Sequence, residues 1–143
     1  MSTNSITASG LPNRLFGSVR PEDIRWWPYL ALGKDAHTAI VVGDPGAAGP
    51  YVVRVKVGAD MKIMPHIHPE DRVYTVISGV FYIGLGTEFD PAKLVAYSPG
   101  SVVVLPGNTA HFHWARSGEY VTQVYGLGPL GTQYVHPADD PRN

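Results

Sequence analysis

Two short segments, each carrying a His-x-His pair, constrain this chain more than any other feature of its sequence. The first pair is His66 and His68, and the second is His111 and His113. Side chains alternate between the two faces of a β-strand, so residues two apart point the same way. Each pair can therefore direct two imidazoles at one point, as a transition metal requires. If the two segments face each other inside one barrel, they form a metal site.

Length and charge exclude several classes of function. The chain has 143 residues, the size of one domain with its own core, and a formal net charge of −1. With no basic run, we expect neither a nucleic acid nor a membrane as partner. The absence of cysteine excludes disulfides, Cys-ligated zinc and thiol nucleophiles. Residues 1–20 lack the apolar core of a signal peptide, so we expect a cytoplasmic protein.

Short strands and frequent turns predict an all-β fold. In the segment 51–57 every odd position is apolar, and Arg54 and Lys56 lie between them, as in a half-buried strand. Similar strand signals occur at 38–42, 73–77, 80–85, 93–97, 101–105, 111–114 and 119–127. The Ser78-Gly79 pair predicts a hairpin between two of these segments. Many short strands of this kind favour a closed sandwich or barrel.

The chain divides into three predicted parts. Residues 1–36 form an N-terminal arm and strap, 37–136 a β-barrel, and 137–143 a C-terminal tail. The aromatic patch at 24–30 is expected to pack over the barrel or at a dimer interface.

The first histidine segment resembles a motif of the cupins, a family of small β-barrels. That motif runs Gly, five residues, His-x-His, Glu after three or four more, and Gly after six more. The residues that approximate it here are Gly58, His66, His68, Arg72 and Gly79. The gap before the histidines is longer than in the family, and arginine stands where the family has glutamate.

The second histidine segment resembles the second cupin motif. Gly100, Pro106 and His111 match its spacing of Gly, five residues, Pro-x-Gly, two residues and His. Asn108 replaces the second glycine of that motif, and Ala115 stands where its final asparagine would be. Because the two motifs occur in the family order, the chain looks like a small single-domain bacterial cupin.

The resemblance implies a double-stranded β-helix (jelly roll), usually a homodimer, with a divalent metal held by the motif histidines. By position the implied ligands are His66, His68 and His111. Imidazole suits Fe(II), Zn, Mn, Ni and Cu alike. Fe(II) is favoured because three-histidine iron occurs in cupin-type thiol and diketone dioxygenases. His113 is expected to be a fourth ligand, a base or a hydrogen-bonding wall of the site, or else a partly buried histidine whose ring has its own hydrogen-bond partner.

Arg72 is the informative departure from the family. A guanidinium has no lone pair for a metal and would be repelled by it. Either Arg72 turns away and pairs with a carboxylate such as Glu70 or Asp71, or it lines the pocket and binds an anionic substrate. In a third case the metal is lost and the barrel is a binding pocket. The reach of Glu70 to the metal itself is doubtful, because it follows His68 so closely.

These residues predict a metal-dependent enzyme, of dioxygenase type, acting on a small anionic molecule. Arg72 would orient the substrate, and Tyr74 or His113 would transfer protons. Two other functions stay open: a non-catalytic barrel that binds or senses a small molecule, and a metal-dependent isomerase or lyase. Gln123 and Tyr125 share one face of their strand, and alternation does not decide whether that face is buried.

Overall fold

The computed structural model describes residues 17–143, which form two antiparallel β-sheets packed face to face. The first sixteen residues of the predicted arm lie outside the described residues. The helices of residues 17–143 are short 3₁₀ turns: Pro21–Asp23, Pro91–Lys93 and Pro137–Asp139. None of them has the length and apolar character of a membrane span.

The strands of the described residues, in chain order, are β1 Trp27–Pro28, β2 Ala36–Val42, β3 Gly49–Val57, β4 Lys62–Ile67, β5 Arg72–Ser78, β6 Phe81–Leu85, β7 Val95–Tyr97, β8 Val102–Leu105, β9 His111–Trp114, β10 Tyr120–Gly128 and β11 Gln133–Tyr134. One sheet has the order β1-β2-β3-β10-β5-β8, and the other has the order β11-β4-β9-β6-β7. This arrangement confirms the predicted all-β jelly roll.

The core lies between the two sheets. From Tyr51 to Val57 of β3 the odd-numbered residues are buried and the even-numbered ones are partly exposed, as the alternation predicts. Val53 pairs with Val124 of β10, and Val57 pairs with Tyr120, so both strands turn the same face inward. Burying each valine contributes about 1.5–3 kcal/mol. These central strands support the site-bearing strands of the opposite sheet.

The predicted hairpin at Ser78-Gly79 is wrong. β5 pairs with β10 and β8 in the six-stranded sheet, whereas β6 pairs with β7 and β9 in the other sheet. The turn therefore carries the chain from one sheet to the other. Gly79 has a φ of +71°, and a Cβ atom there would lie 2.2 Å from the carbonyl oxygen of Glu119. Local sequence identifies such a turn but does not say which sheet the next strand joins.

The alternation of apolar and polar residues does not predict β4, the strand that contains His66. β4 contains Pro65, which donates no backbone hydrogen bond, and its pairing with β9 shifts register between Ile63 and His66. The predicted strand at 93–97 begins at Val95, because Pro91–Lys93 is a 3₁₀ turn. The two-residue strands β1 and β11 are too short to leave a periodic signal.

Replacing Gly79 with alanine should destabilise the fold by at least about 2 kcal/mol, since left-handed backbone strain costs about 1–3 kcal/mol and the methyl group also meets the Glu119 carbonyl. Gly100→Ala is the matched control, because Gly100 has a φ of +90° with no atom within 4 Å of the added Cβ. Urea denaturation should show a larger loss for Gly79→Ala. Equal losses would contradict the steric argument.

Candidate metal centre

The two histidine segments lie side by side on neighbouring strands. β4 and β9 run antiparallel, and His66 lies directly opposite His111. The ring centroids of this pair are 4.1 Å apart, and the ring of His68 lies 4.9 Å from each of the other two. The backbone N–H of Asn108 also donates to the carbonyl of His68 at 2.7 Å. The two segments therefore bring their histidines together, as the metal-site prediction requires.

Asn108 explains one departure from the family motif. Its φ of +60° lies in the left-handed region, where the motif has glycine. Asparagine tolerates this conformation better than most residues, so the substitution preserves the turn before β9. Just before it, the backbone N–H of Gly107 donates to the Asp71 carboxylate at 2.7 Å, which joins the turn to the first segment.

The orientation of each ligand imidazole is set by a backbone carbonyl. The Nδ1 atoms of His66, His68 and His111 lie 2.7, 2.7 and 2.9 Å from the carbonyl oxygens of Met64, Gly131 and Thr109. A carbonyl can only accept, so each Nδ1 carries the hydrogen and each Nε2 of the neutral ring carries the lone pair. Backbone hydrogen bonds of this kind hold metal-binding histidines in place.

The free nitrogens of these rings point into the interior. All three histidines are buried, and one ligand atom from each lies within 4.8 Å of the others. Within residues 17–143, the Nε2 atoms of His66 and His111 are buried without a hydrogen-bond partner. Such atoms cost free energy unless something binds them. A divalent transition metal bound to all three rings would satisfy them, so the donor set fits a metal.

Burial keeps these imidazoles neutral. Desolvation lowers the pKa of His66 well below its usual value, and the neighbouring His111 lowers it further. Desolvation also lowers the pKa of His68, with the charge of Arg72 as the next cause. The pKa of His111 falls to about 4, again mainly through burial. A neutral ring is the form that binds a metal.

His113 lines the same cavity as His66 and His68 but lies outside the group of histidines that could share one ion. Its ring centroid is 5.0 Å from that of His111 and 5.1 Å from that of Phe81. Its Nδ1 is buried and has no hydrogen-bond partner among residues 17–143. Burial above all, and then the adjacent histidines, lower the pKa of His113 well below its usual value.

Arg72 is buried in the cavity wall and is paired there. Its Nε and Nη2 atoms each lie 3.0 Å from Oε2 of Glu70, and Nη2 also donates to the carbonyl of Gly131 at 3.2 Å. Arg72 therefore does not turn away: it lines the pocket and pairs there with Glu70, and its binding of a substrate stays a prediction. Tyr74 is buried beside it; desolvation raises the pKa of Tyr74, and the charge and hydrogen bond of Arg72 oppose that rise.

Several residues of the site were missed or left open by the sequence. Glu70 and Tyr51 belong to the Arg72 cluster, with a hydrogen bond of 2.6 Å from the Tyr51 hydroxyl to the carboxylate. Gly131 acts through its backbone, which leaves no sequence signal. In β10, Thr122 and Val124 line the cavity, so Gln123 and Tyr125 lie on the outer face.

The cavity between these residues is small. Its volume is about 20 Å³, enough for about one water molecule. Apolar side chains make up most of the remaining wall: Leu32, Val55, Phe81 and Val124. Tyr29 and Leu32, from the segment before β2, close one side of it. The Tyr134 hydroxyl holds that segment by donating to the carbonyl of Ala31 at 2.6 Å.

Among known proteins, similarity to this chain is found in structure and not in sequence. No protein-family model matches the sequence, and no curated protein matches it. The structure is similar to the polyketide cyclase RemF from Streptomyces resistomycificus, with a TM-score of 0.70, 17% identity, and coverage of 89% of this chain and 90% of that one. A cupin-2 domain protein from Rhodospirillum rubrum has a TM-score of 0.64 and 14% identity, over 86% of this chain and 82% of that one.

The chain has the cupin fold. A further similar chain comes from the crystal structures of the DMSP lyases RdDddP and RnDddQII, with a TM-score of 0.62 and 18% identity. That match covers 78% of this chain and 62% of the lyase chain. The resemblance to cupins is therefore confirmed for the fold, and the three-histidine cluster lies inside a cupin barrel.

The metal-free protein should lose stability as the pH falls from 7 to 5. The native state resists protonation of the buried histidines because their pKa values are lowered, while the unfolded chain takes up protons near pH 6.5. Each such histidine lowers the free energy of unfolding with a slope that grows as the pH falls through 6.5 and approaches about 1.4 kcal/mol per pH unit near pH 5. Urea denaturation at a series of pH values measures the slope. A flat profile would show that these rings are not buried neutral.

Proposed function

We propose that this protein is a metal-dependent enzyme that binds a small substrate through an anionic oxygen. The observation that carries the proposal is the buried set of three neutral imidazoles, one ligand atom of each lying within 4.8 Å of the others. Within residues 17–143 this group contains no carboxylate. Neutral ligands leave the charge of a divalent ion uncompensated in a poorly solvated cavity, which favours an anionic or enolate oxygen.

The chain's own residues have distinct roles in this proposal. His66, His68 and His111 would hold the metal, which supplies Lewis-acid polarisation and, if it is iron, activation of dioxygen. The apolar wall around Phe81 excludes water from the bound substrate. Because the cavity holds about one water molecule, part of its wall would move outward when a substrate binds, and we propose the segment with Tyr29 and Leu32 as that part.

Arg72 is a weaker anchor for an anionic substrate than its charge suggests. Two of its nitrogens already bind Glu70, so the pair as a whole is neutral. The attraction for an anion therefore comes mainly from the metal. Arg72 and Tyr74 line the cavity and would orient the substrate by hydrogen bonds.

Dioxygenation remains the leading reaction in this proposal, because a three-histidine centre leaves open positions for both a substrate and dioxygen. Isomerisation or lysis by proton transfer is the second candidate. It is favoured by His113, whose neutral ring lies beside the candidate ligands. Within the described residues, its Nδ1 atom has no hydrogen-bond partner. Similarity in fold to proteins named as a cyclase and as lyases supports keeping it.

Metal content is the first test. Protein purified without added metal, and then reconstituted with Fe(II) or Zn(II), should hold about one ion per chain by elemental analysis. His66→Ala should remove most of it, since one of three ligands is lost, whereas His136→Ala at the exposed surface should not. A wild-type protein that holds no ion after reconstitution would overturn the proposal.

Dependence on dioxygen then separates the two reactions. The reconstituted protein is incubated with a panel of small carboxylates and diketones, with and without air. A dioxygenase consumes dioxygen in proportion to product, whereas an isomerase or lyase forms product equally well without it.

His113→Gln should lower kcat by about 10²–10⁴ if His113 transfers a proton, which is the usual contribution of such a group. Its metal content should stay at the wild-type value, because His113 lies outside the ligand cluster. Steady-state kinetics together with elemental analysis check both expectations. An unchanged kcat would exclude His113 from proton transfer.

A further inference from the structure

Glu70 has an environment unusual for a carboxylate that takes no part in binding the metal. Its side chain is 7% exposed. Oε2 accepts hydrogen bonds from the Tyr51 hydroxyl at 2.6 Å and from Nε and Nη2 of Arg72, each at 3.0 Å. Oε1 accepts from the backbone N–H of Gly131 at 3.3 Å. Both oxygens are therefore occupied by donors from three separate parts of the chain.

The same cluster reaches a metal-binding histidine. The carbonyl of Gly131 accepts hydrogen bonds from Nδ1 of His68, at 2.7 Å, and from Nη2 of Arg72, at 3.2 Å. Glu70 thus holds the Gly131 backbone directly through its N–H and indirectly through Arg72. Nδ1 of His68 also lies 3.4 Å from the Thr132 hydroxyl, so the Gly131 carbonyl is the nearer of two groups beside this nitrogen. The position of the nearer group governs the tautomer and the tilt of the His68 ring.

We propose that Glu70 is a positioning residue of the metal centre, an inference that rests on the proposed metal-dependent function. It holds the guanidinium of Arg72 in the wall and fixes the carbonyl that orients His68. It also cancels the charge of Arg72, which would otherwise repel a bound cation. The cupin motif has glutamate where this chain has Arg72. In this chain the carboxylate of Glu70 instead acts on the metal centre indirectly, through Arg72 and the Gly131 backbone.

The packing around Tyr51 shows that the cluster depends on a close fit. A Cβ atom at Gly126 of β10 would lie 2.7 Å from the Tyr51 hydroxyl oxygen. An alanine at residue 126 would therefore push the Tyr51 ring away from its present position beside Glu70. Gly126→Ala gives a way to disturb the cluster without altering any charged or metal-binding side chain.

The affinity for Co(II), measured by competition with a chromophoric chelator, tests the inference. Glu70→Gln should weaken binding about 10–100-fold, the usual effect of removing a group that supports a metal ligand. Glu88→Gln is the matched control, because Glu88 is 77% exposed in its pair with His136. It should bind Co(II) like the wild type. Binding by Glu70→Gln within twofold of the wild type would overturn the inference.

A double variant separates positioning from general support of the fold. Glu70→Gln with Arg72→Met removes the unpaired cation as well, so it should bind Co(II) more tightly than Glu70→Gln alone. Affinity equal to or lower than that of the single variant would contradict the charge argument. If Glu70→Gln does not fold, Gly126→Ala replaces it, and at least a threefold loss of Co(II) affinity is expected. An unchanged affinity in Gly126→Ala would then overturn the inference.

Nitrogen NMR of the metal-free protein gives a test that is independent of metal binding. In the wild type, His68 should be the Nδ1–H tautomer, with Nε2 unprotonated. In Glu70→Gln the ring should become a mixture of tautomers, while His66 and His111 keep theirs, since other carbonyls hold them. A His68 signal unchanged in Glu70→Gln would overturn the inference even if the metal site is real. Failure of the wild type to bind metal would instead overturn the proposed function, and the NMR result would then decide the role of Glu70.

Discussion

The pairing of β4 with β9 is the constraint on which the site depends. It places His66 opposite His111 across an antiparallel ladder, at the distance where facing side chains touch. A shift of one residue would turn one histidine pair to the outer face of the sheet. The register is held partly by the turn before β9, where Asn108 donates to the backbone of His68. The strand pairing and the metal site are therefore one arrangement.

The interior around the histidines is organised so that no charge is left unpaired before a metal binds. Burial keeps the imidazoles neutral, and each of the three candidate ligands donates its one ring N–H to a backbone carbonyl. Among residues 17–143, Arg72 is the permanently charged side chain in the wall of the cavity, and Glu70 neutralises it through two hydrogen bonds. Because an unpaired buried charge is costly, the two residues form one unit. A metal held by neutral rings would then dominate the electrostatics of the cavity.

Much of the site could be predicted because its signals are local. The two histidine segments predict the three candidate ligands. The short strands, with glycine and proline in the turns between them, predict the fold. The role of Gly131 could not be predicted, because it acts through a backbone carbonyl that every residue has and lies 63 residues from His68 in sequence. The sequence names Glu70 as one possible partner of Arg72 but does not choose it over Asp71, and it gives no sign of the contacts with Tyr51 and Gly131. Glu70 reaches its place because the chain turns between β4 and β5 and brings Tyr51 and Arg72 to its carboxylate.

The sequence by itself determined the kind of chemistry: imidazoles in pairs, an arginine in place of the family glutamate, and strands whose alternation aims each pair one way. Those properties depend on side-chain type and on a backbone period of two, which act over a few residues. Only the tertiary structure decided that the pairs converge, which nitrogen of each ring is free, and that Arg72 is neutralised by Glu70. These depend on strand register and on carbonyls from distant loops, and the free energy of such contacts is set only when the whole barrel has folded.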